Sequence, residues 1–441
     1  MSLDKTKSRS CLFESWGRGC QHNGHLHRPV WRDAIATPQA GWLVVGQGRS
    51  YGDVCINNDG DLVCSEGLDR LSQFDHASGV ICAEAGLTLD NLLRLTIPHG
   101  WFLPVTPGTK YVSLGGALAN DVHGKNHHRA GTFGCHVRRF ELLRSDGTRL
   151  QCSPNENKDY YSATIGGLGL TGFITWIELQ LMPVSSSWLE SESLRFNCLE
   201  EFLDISRQSD RDWTYTVAWV DSLARGRQLG RGVFFRANHM DDGDCRLHGR
   251  PGFLRVPFDM PGFTLNAPGM RAFSSMYFNL PRGSGLKPVH YDPFFYPLDV
   301  VANWNRLYGK RGFFQYQCVV PYESADVVIP YILEMSARQD QGSFLSVLKV
   351  FGNLPSPGLL SFPRKGVTIA LDLRNLGDAT LNMMQQFDEE VMAVGGAVYP
   401  AKDARMSARA FRQFFPQWQT LEVLRDPQVM SGFWKRVSCD E

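Results

Sequence analysis

The chain carries no net charge. Lys and Arg together number 45, as do Asp and Glu, so it lacks the global basic field of a nucleic-acid binder and the acidic excess of a disordered chain. Close cysteine pairs are also missing. The 11 cysteines, at 11, 20, 55, 64, 82, 135, 152, 198, 245, 318 and 439, never fall as CxxC or at another metal-ligand spacing. An odd, scattered set suits reduced thiols in a cytosolic protein. No window reaches the ~18 uninterrupted apolar residues of a membrane-spanning helix. The opening stretch, MSLDKTKSRSCLFESWGRGCQ, is charged and then aromatic, without the apolar core of a secretory signal. The expectation is a soluble, cytoplasmic protein, with peripheral membrane contact left open. Fixed-period repeats and low-complexity tracts are absent too.

What is present is ample core material: 43% of 441 residues are apolar and 20% charged. A chain of this length exceeds what one core usually supports, so two domains are expected. From 41 to about 183, short apolar runs alternate with glycine-rich turns. Strands are predicted at 42–45, 61–64 and 79–83, a helix over 87–97 with Thr88 as N-cap, and a strand pair over 137–150 around the turn 145–147. The run TIGGLGLTGFITWIELQLMPV joins a glycine-dense turn to a long strand. After a composition shift at 183–188 come a helix at 198–208, strands at 213–220, 232–235, 313–320, 344–351 and 367–373, and helices at 325–338 and 379–394. The interval 249–293, rich in Gly, Pro, Phe and Arg, reads as a long loop or lid. This is an α+β layout of two domains: 1–187 for a cofactor, 188–396 for a substrate, and 397–441 returning to the first.

The most unusual run is 104–137, PVTPGTKYVSLGGALANDVHGKNHHRAGTFGCHV. It holds glycines at 108, 115, 116, 124, 131 and 134 and histidines at 123, 127, 128 and 136, with few large aliphatic side chains. Such glycines mark sharp turns or close approach to another group, and a large phosphate-bearing cofactor would need both. Three further elements share the character. Gly46, Gln47, Gly48, Arg49, Ser50, Tyr51, Gly52 and Asp53 follow a predicted strand, where a turn can aim backbone N–H groups at an anion. Taken alone this is equally an ordinary tight turn, and it is not GxGxxG, since Tyr51 takes the third position. Gly108 with Ser113, Gly115 and Gly116 offers two more sharp turns, and 166–174 packs four glycines before a strand. Agreement among the four elements points to a dinucleotide.

His123 and His127 stand four apart, but Gly124 intervenes and no acidic residue follows the first histidine. No metal is expected. The histidines read either as structural or as contacts to cofactor or substrate, and Lys125 as the residue to meet an anionic substrate. Gln315 and Gln317 share one face of a predicted strand, as Lys349 and Phe351 do on another. Lys402 sits in the polar cluster Tyr399, Lys402, Asp403, Arg405. A surface ion pair is the simple alternative for it.

The blocks GQGRSYGD (46–53), VTPGTKYVSLGGALANDVHGKNHHRAGTFGCHV (105–137), ATIGGLGLTGFI (163–174), PLDVVANWNRLYGKRGFFQYQ (297–317) and YPAKDAR (399–405) are together specific. Through them the sequence resembles vanillyl-alcohol-oxidase-type flavin oxidoreductases with a PCMH-type FAD domain. Within these it is most similar to the flavoprotein subunits of decaprenylphosphoryl-β-D-ribose 2'-epimerases. The resemblance implies an antiparallel-sheet substrate domain with helices. It also implies FAD held by 46–53, Gly108, Ser113, Gly115, Gly116, Asn120, His123, Ile174 and Tyr399. Arg49 stands where relatives with covalent flavin have histidine, so the FAD would be non-covalent.

The implied chemistry is oxidation of a secondary hydroxyl of an activated sugar to the 2'-keto sugar, with hydride passing to flavin N5. Lys402, His123 and Lys125 would be catalytic, and Tyr51, Lys125, Gln315, Gln317, Lys349, Phe351 and Lys402 would line the substrate. A separate NAD(P)H-dependent short-chain dehydrogenase would complete an epimerisation that feeds cell-envelope polysaccharide synthesis. Ala370 replaces a cysteine that family members carry in this strand. An aldonolactone or alditol oxidase on the same fold, or a non-catalytic flavin-binding scaffold, are the competing expectations.

Overall fold

The apolar runs of the first half become strands of two sheets. In the computed structural model, which describes residues 9–35, 41–247, 249, 254–262, 264–283 and 285–438, a four-stranded sheet has the order Arg9–Glu14, Gln21–His27, Asp61–Cys64, Trp42–Val45. A five-stranded antiparallel sheet follows: Leu71–Asp75, Val80–Glu84, Phe173–Gln180, Val137–Leu143, Arg149–Cys152. The helix Leu89–Thr96 begins at Thr88, whose hydroxyl accepts from the Asn91 N–H at 3.2 Å. Its Leu89, Leu92 and Leu93 share one face and join Ile81, Phe140 and Ile177 in a core. Each such leucine contributes about 2 kcal/mol by leaving water.

The second half builds an eight-stranded sheet in the order Lys287–His290, Trp188–Phe196, Gly232–His239, Tyr215–Val220, Ser346–Phe351, Gly366–Arg374, Phe313–Val320, Ala397–Val398. Every pairing in it is antiparallel. The helices Leu199–Ser209, Ala325–Arg338 and Asp378–Ala393 cover one face, where Phe202, Ile329 and Phe387 meet Phe234, Val319 and Ile369. The opposite face is left for the first domain and the site.

Two expectations need correction, and one strand went unread. The 113–116 segment is no turn: Ser113 caps the helix Leu114–Ala119 by accepting from the Gly116 N–H at 3.2 Å. The interval 249–293 is no plain loop or lid. Among its described residues it contains the helix Ala267–Asn279, capped by Asn266, then the strand Lys287–His290 and the short helix Tyr291–Phe295. The strand Trp188–Phe196, for which no expectation was formed, has mostly half-buried side chains, so it lacks the apolar signature by which strands are read.

Two features tie the domains together. The Lys110 ammonium is buried facing Asp90 at 3.2 Å and, closer still, Asp292 of the second half. The segment after Ala397–Val398 crosses back to the first sheet. There Trp42 N–H donates to the Gln428 carbonyl at 2.8 Å and Met430 N–H to the Trp42 carbonyl at 3.1 Å. Arg436 spans Asp53 at 2.8 Å and Asp403 at 3.0 Å.

Candidate active site

A cavity of about 1000 Å³ is lined by residues of all three of these sheets. Gly46, Gln47, Gly48, Arg49, Ser50, Tyr51, Gly108, Ser113, Gly115, Gly116, Asn120, His123, Ile174 and Tyr399 all line it, as do Lys125, Gln315, Gln317, Lys349 and Lys402. Six segments far apart in sequence, 46–51, 108–125, 174, 315–317, 349 and 399–402, are thus brought to one surface.

Gly52, Asp53 and Phe351 are not on that surface. A Cβ on Gly52 would lie 1.8 Å from the Asp403 carbonyl oxygen, so glycine is needed for the tail to lie against the turn. Asp53 is taken up by Arg436. Phe351 is 1% exposed, with its ring 4.9 Å from that of His123 and 4.5 Å from that of His127. It supports the histidines from behind.

The walls fit a cofactor. No protein atom lies within 4 Å of a Cβ built on Gly108, and on Gly116 such an atom would meet only the Ser113 Oγ, at 3.1 Å. Glycine inside a helix costs about 1 kcal/mol against alanine, and no neighbour within the chain demands it at 116. The empty side of Gly116 faces the cavity. Arg49 Nε, Asn120 Oδ1 and His123 Nδ1 are buried without a partner in the chain, and all three residues line the same space. Unpaired buried polar atoms are costly, so a polar ligand is the natural partner. Among the described residues no three His, Cys, Asp or Glu side chains gather as metal ligands.

The deep end of the cavity is cationic. Burial pushes the Lys125 and Lys349 ammoniums down to about 7, with Lys349 repelling Lys125 and Lys402 repelling Lys349. Lys402 is lowered to about 8 by burial, against the pull of Asp372. The Lys125 Nζ donates to the Phe294 carbonyl and lies 4.5 Å from the Phe294 ring centre. Lys349 Nζ reaches the Gly124 carbonyl at 3.4 Å. Lys402 Nζ sits 4.1 Å over the Tyr51 ring, not in the simple surface ion pair that its neighbour Asp403 suggested. His123 is held neutral by burial, with Lys349 adding to the effect, and meets the Gln317 amide at 2.9 Å.

Two carboxylates of the site went unread in the sequence. Asp299 accepts from the Thr109 hydroxyl at 2.8 Å and the Lys110 N–H at 2.9 Å, and burial pushes it up to about 6 beside Arg49. Asp372 is fully buried and accepts from Gln315 Nε2 at 2.6 Å. An aromatic wall of Trp219, Phe273, Tyr277 and Phe344 was missed as well. Its one available signal was Asn-Ala-Pro at 266–268, a helix-start pattern inside the supposed loop.

Comparison with known proteins agrees with this geometry. Residues 30–153 match the FAD binding domain family. Over 403 residues the chain is 32% identical to decaprenylphosphoryl-β-D-ribose oxidase of Mycolicibacterium smegmatis, an alignment covering 88% of this chain and 86% of that protein. It is 34% identical over 360 residues to an uncharacterised protein of Streptomyces coelicolor, covering 77% and 95%. Mouse L-gulonolactone oxidase is 31% identical over 142 residues, 32% of this chain and 31% of the mouse protein. The chain therefore belongs to the decaprenylphosphoryl-β-D-ribose oxidase family of FAD-dependent oxidoreductases acting on CH–OH groups.

Proposed function

We propose that the protein oxidises a secondary hydroxyl of a phosphate-activated sugar, resembling decaprenylphosphoryl ribose, to the corresponding 2'-keto sugar. The observation that carries this is the convergence of Lys125, Lys349 and Lys402 with Gln315 and Gln317 in one cavity. Three ammoniums suit an anionic substrate, and two amides suit a polyol. The FAD would be held by 46–51, Gly108, Ser113, Gly115, Gly116, Asn120, Ile174 and Tyr399, without a covalent bond, since Arg49 cannot form a histidyl link. When bound, it supplies the two-electron acceptor for the hydrogen on the carbinol carbon.

The chain's own residues orient and polarise. Lys402 places positive charge where the hydroxyl oxygen becomes electron-rich, and Tyr51 fixes the direction of that ammonium. His123, neutral and held by Gln317, presents a hydrogen-bonding edge without adding charge. Lys125 and Lys349 hold the phosphate. We assign 1–187 to FAD, 188–396 to the substrate and 397–441 to a segment returning to the first domain.

The reaction is placed in the cytoplasm, with peripheral membrane contact to reach a lipid-linked sugar. No helix among the described residues is long and apolar enough to cross a membrane. A short-chain dehydrogenase would reduce the keto product, giving net epimerisation for cell-envelope synthesis. The similarity to L-gulonolactone oxidase keeps an aldonolactone or alditol oxidase as the second reading. Mixing the anaerobic protein with decaprenylphosphoryl ribose, free alditols and aldonolactones, while following the flavin band, separates them. Bleaching by the phosphoryl sugar supports the proposal, and bleaching only by free polyols or lactones overturns it.

Substrate affinity should depend on pH. Lys125 and Lys349 are protonated below about 7 and lose charge above it, while a phosphodiester keeps one charge throughout. The dissociation constant should rise by about tenfold for each ~1.4 kcal/mol of lost ion pairing as pH climbs from about 6 to 9. A bound anion raises both lysine pKa values, so the rise starts later in the complex. Equilibrium dialysis with the phosphoryl sugar checks this, and an unchanged constant removes these lysines from anion binding.

A further inference from the structure

Exposed large apolar side chains are scattered over the described residues, except that Leu254, Phe258, Met276, Leu280 and Leu286 fall close together in sequence. Single exposed apolar side chains are ordinary, but several together mark an interface. The last three belong to one lobe. Met276 is 62% exposed, Leu280 49% and Leu286 52%. Met276 and Leu280, four positions apart at the end of the helix Ala267–Asn279, lie on its outer side, while Phe273 and Tyr277 of the same helix line the cavity. Arg282 folds the chain back by donating to the Tyr277 carbonyl at 2.7 Å and the Leu280 carbonyl at 3.2 Å, and the Lys287 ammonium donates to the Arg282 carbonyl. Leu286 is thereby kept near the helix end.

The lobe is also basic. Between 260 and 291 the sequence has no Asp or Glu but holds Arg271, Arg282 and Lys287. Arg271 pairs with Asp340 at 2.5 Å. Arg282 and Lys287 direct N–H groups to backbone carbonyls, as does Arg195, which donates to the Asn279 and Leu280 carbonyls at 3.1 Å. None of these three pairs with a carboxylate among the described residues. Gly285 and Lys287 are exposed and also line the cavity, so the cavity opens at this lobe. Apolar side chains beside unpaired cations suit a bilayer surface with anionic headgroups, where the apolar groups enter the acyl boundary and the cations meet phosphate. A second copy of the chain suits it less, because a two-fold contact would set this positive charge against itself.

We propose that Met276, Leu280 and Leu286, with Arg195, Arg282 and Lys287, dock the protein on an anionic bilayer with the cavity mouth against the membrane. This rests on the reading of the substrate as a lipid-linked sugar, which would then pass from the bilayer into the cavity without crossing bulk water.

The test is co-sedimentation of the FAD-loaded protein with vesicles, in the absence of any sugar. Vesicles of equal parts phosphatidylglycerol and phosphatidylcholine should carry the protein down, vesicles of phosphatidylcholine alone far less, and high salt should release it. The triple change Met276→Ser, Leu280→Ser and Leu286→Ser should weaken binding by about tenfold or more, and Lys287→Gln by about fivefold. The three apolar residues lie outside the cavity lining, so flavin reduction by a water-soluble, short-chain phosphoryl sugar should be unchanged in the triple variant. Should that variant not fold, Leu280→Ser with Leu286→Ser is read in the same way. No binding to the anionic vesicles, or equal binding by the triple variant, overturns the proposal. So does a concentration-dependent dimer, seen by light scattering, that the triple change abolishes while vesicles leave the protein in solution. If the vesicles bind but no phosphoryl sugar bleaches the flavin, the functional reading fails and the docking surface stands. If the sugar bleaches the flavin but the vesicles do not bind, the surface alone fails.

Discussion

Lys402→Ala is expected to give a folded, yellow protein that its substrate does not reduce. The side chain lines the cavity over Tyr51, outside the buried core, so its loss leaves packing intact. The surface assigned to FAD, built from 46–51 and 108–120, is untouched. What disappears is the ammonium proposed to stand beside the reacting oxygen. Removing one preorganised charge or donor of this kind typically slows the chemical step by about 10²–10³. Anaerobic stopped-flow measurement of flavin bleaching reads the effect directly. Reduction at the wild-type rate would remove Lys402 from the mechanism, and loss of colour would mean that it serves the cofactor instead.

Gly116→Val should give the opposite phenotype, a folded but colourless protein. Gly116 lies in the helix Leu114–Ala119, and a Cβ there meets nothing but the Ser113 hydroxyl. The side chain would therefore enter the cavity where the cofactor is assigned. Gly116→Ala sharpens the argument, because a single methyl that meets only the Ser113 hydroxyl within the chain should leave the flavin-free protein folded while still intruding on FAD. Thermal melts of the flavin-free protein should then change little for alanine while the FAD-to-protein absorbance ratio falls. Stoichiometric FAD in the valine variant would contradict the assignment of this wall.

The site was legible in sequence where its demands fell on the backbone. A turn or helix that must come close to another group needs glycine whatever surrounds it, so 46–51, 108–116 and 168–174 could be singled out without knowing how they meet, whereas Gly52 answers to the Asp403 carbonyl. Asp372 and Asp299 could not. Asp372 acquires its meaning from Gln315, which lies 57 positions away and becomes its neighbour only through strand register. Asp299 acquires its meaning from Lys110 and Arg49 across the domain junction. In each case one carboxylate in an apolar stretch looks like an ordinary polar position.

Two misreadings of local structure have local causes. Leu114–Ala119 is short and four of its six residues are glycine or alanine, so no 3.6-residue apolar stripe announces a helix. In Ala267–Asn279 the aromatic residues Phe273 and Tyr277 face the cavity and Met276 faces solvent. Apolar residues on both sides hide the amphipathic pattern.

The segment that carries Lys402 begins as the edge strand of one domain and then presses its Asp403 carbonyl onto Gly52 of the other. The position of this ammonium over Tyr51 is therefore set by how the domains seat against each other. Turnover becomes a gauge of that seating. A change that lets the halves slip by a fraction of an ångström would dim catalysis, and both apolar cores, which draw residues from the two halves, hold against such slipping.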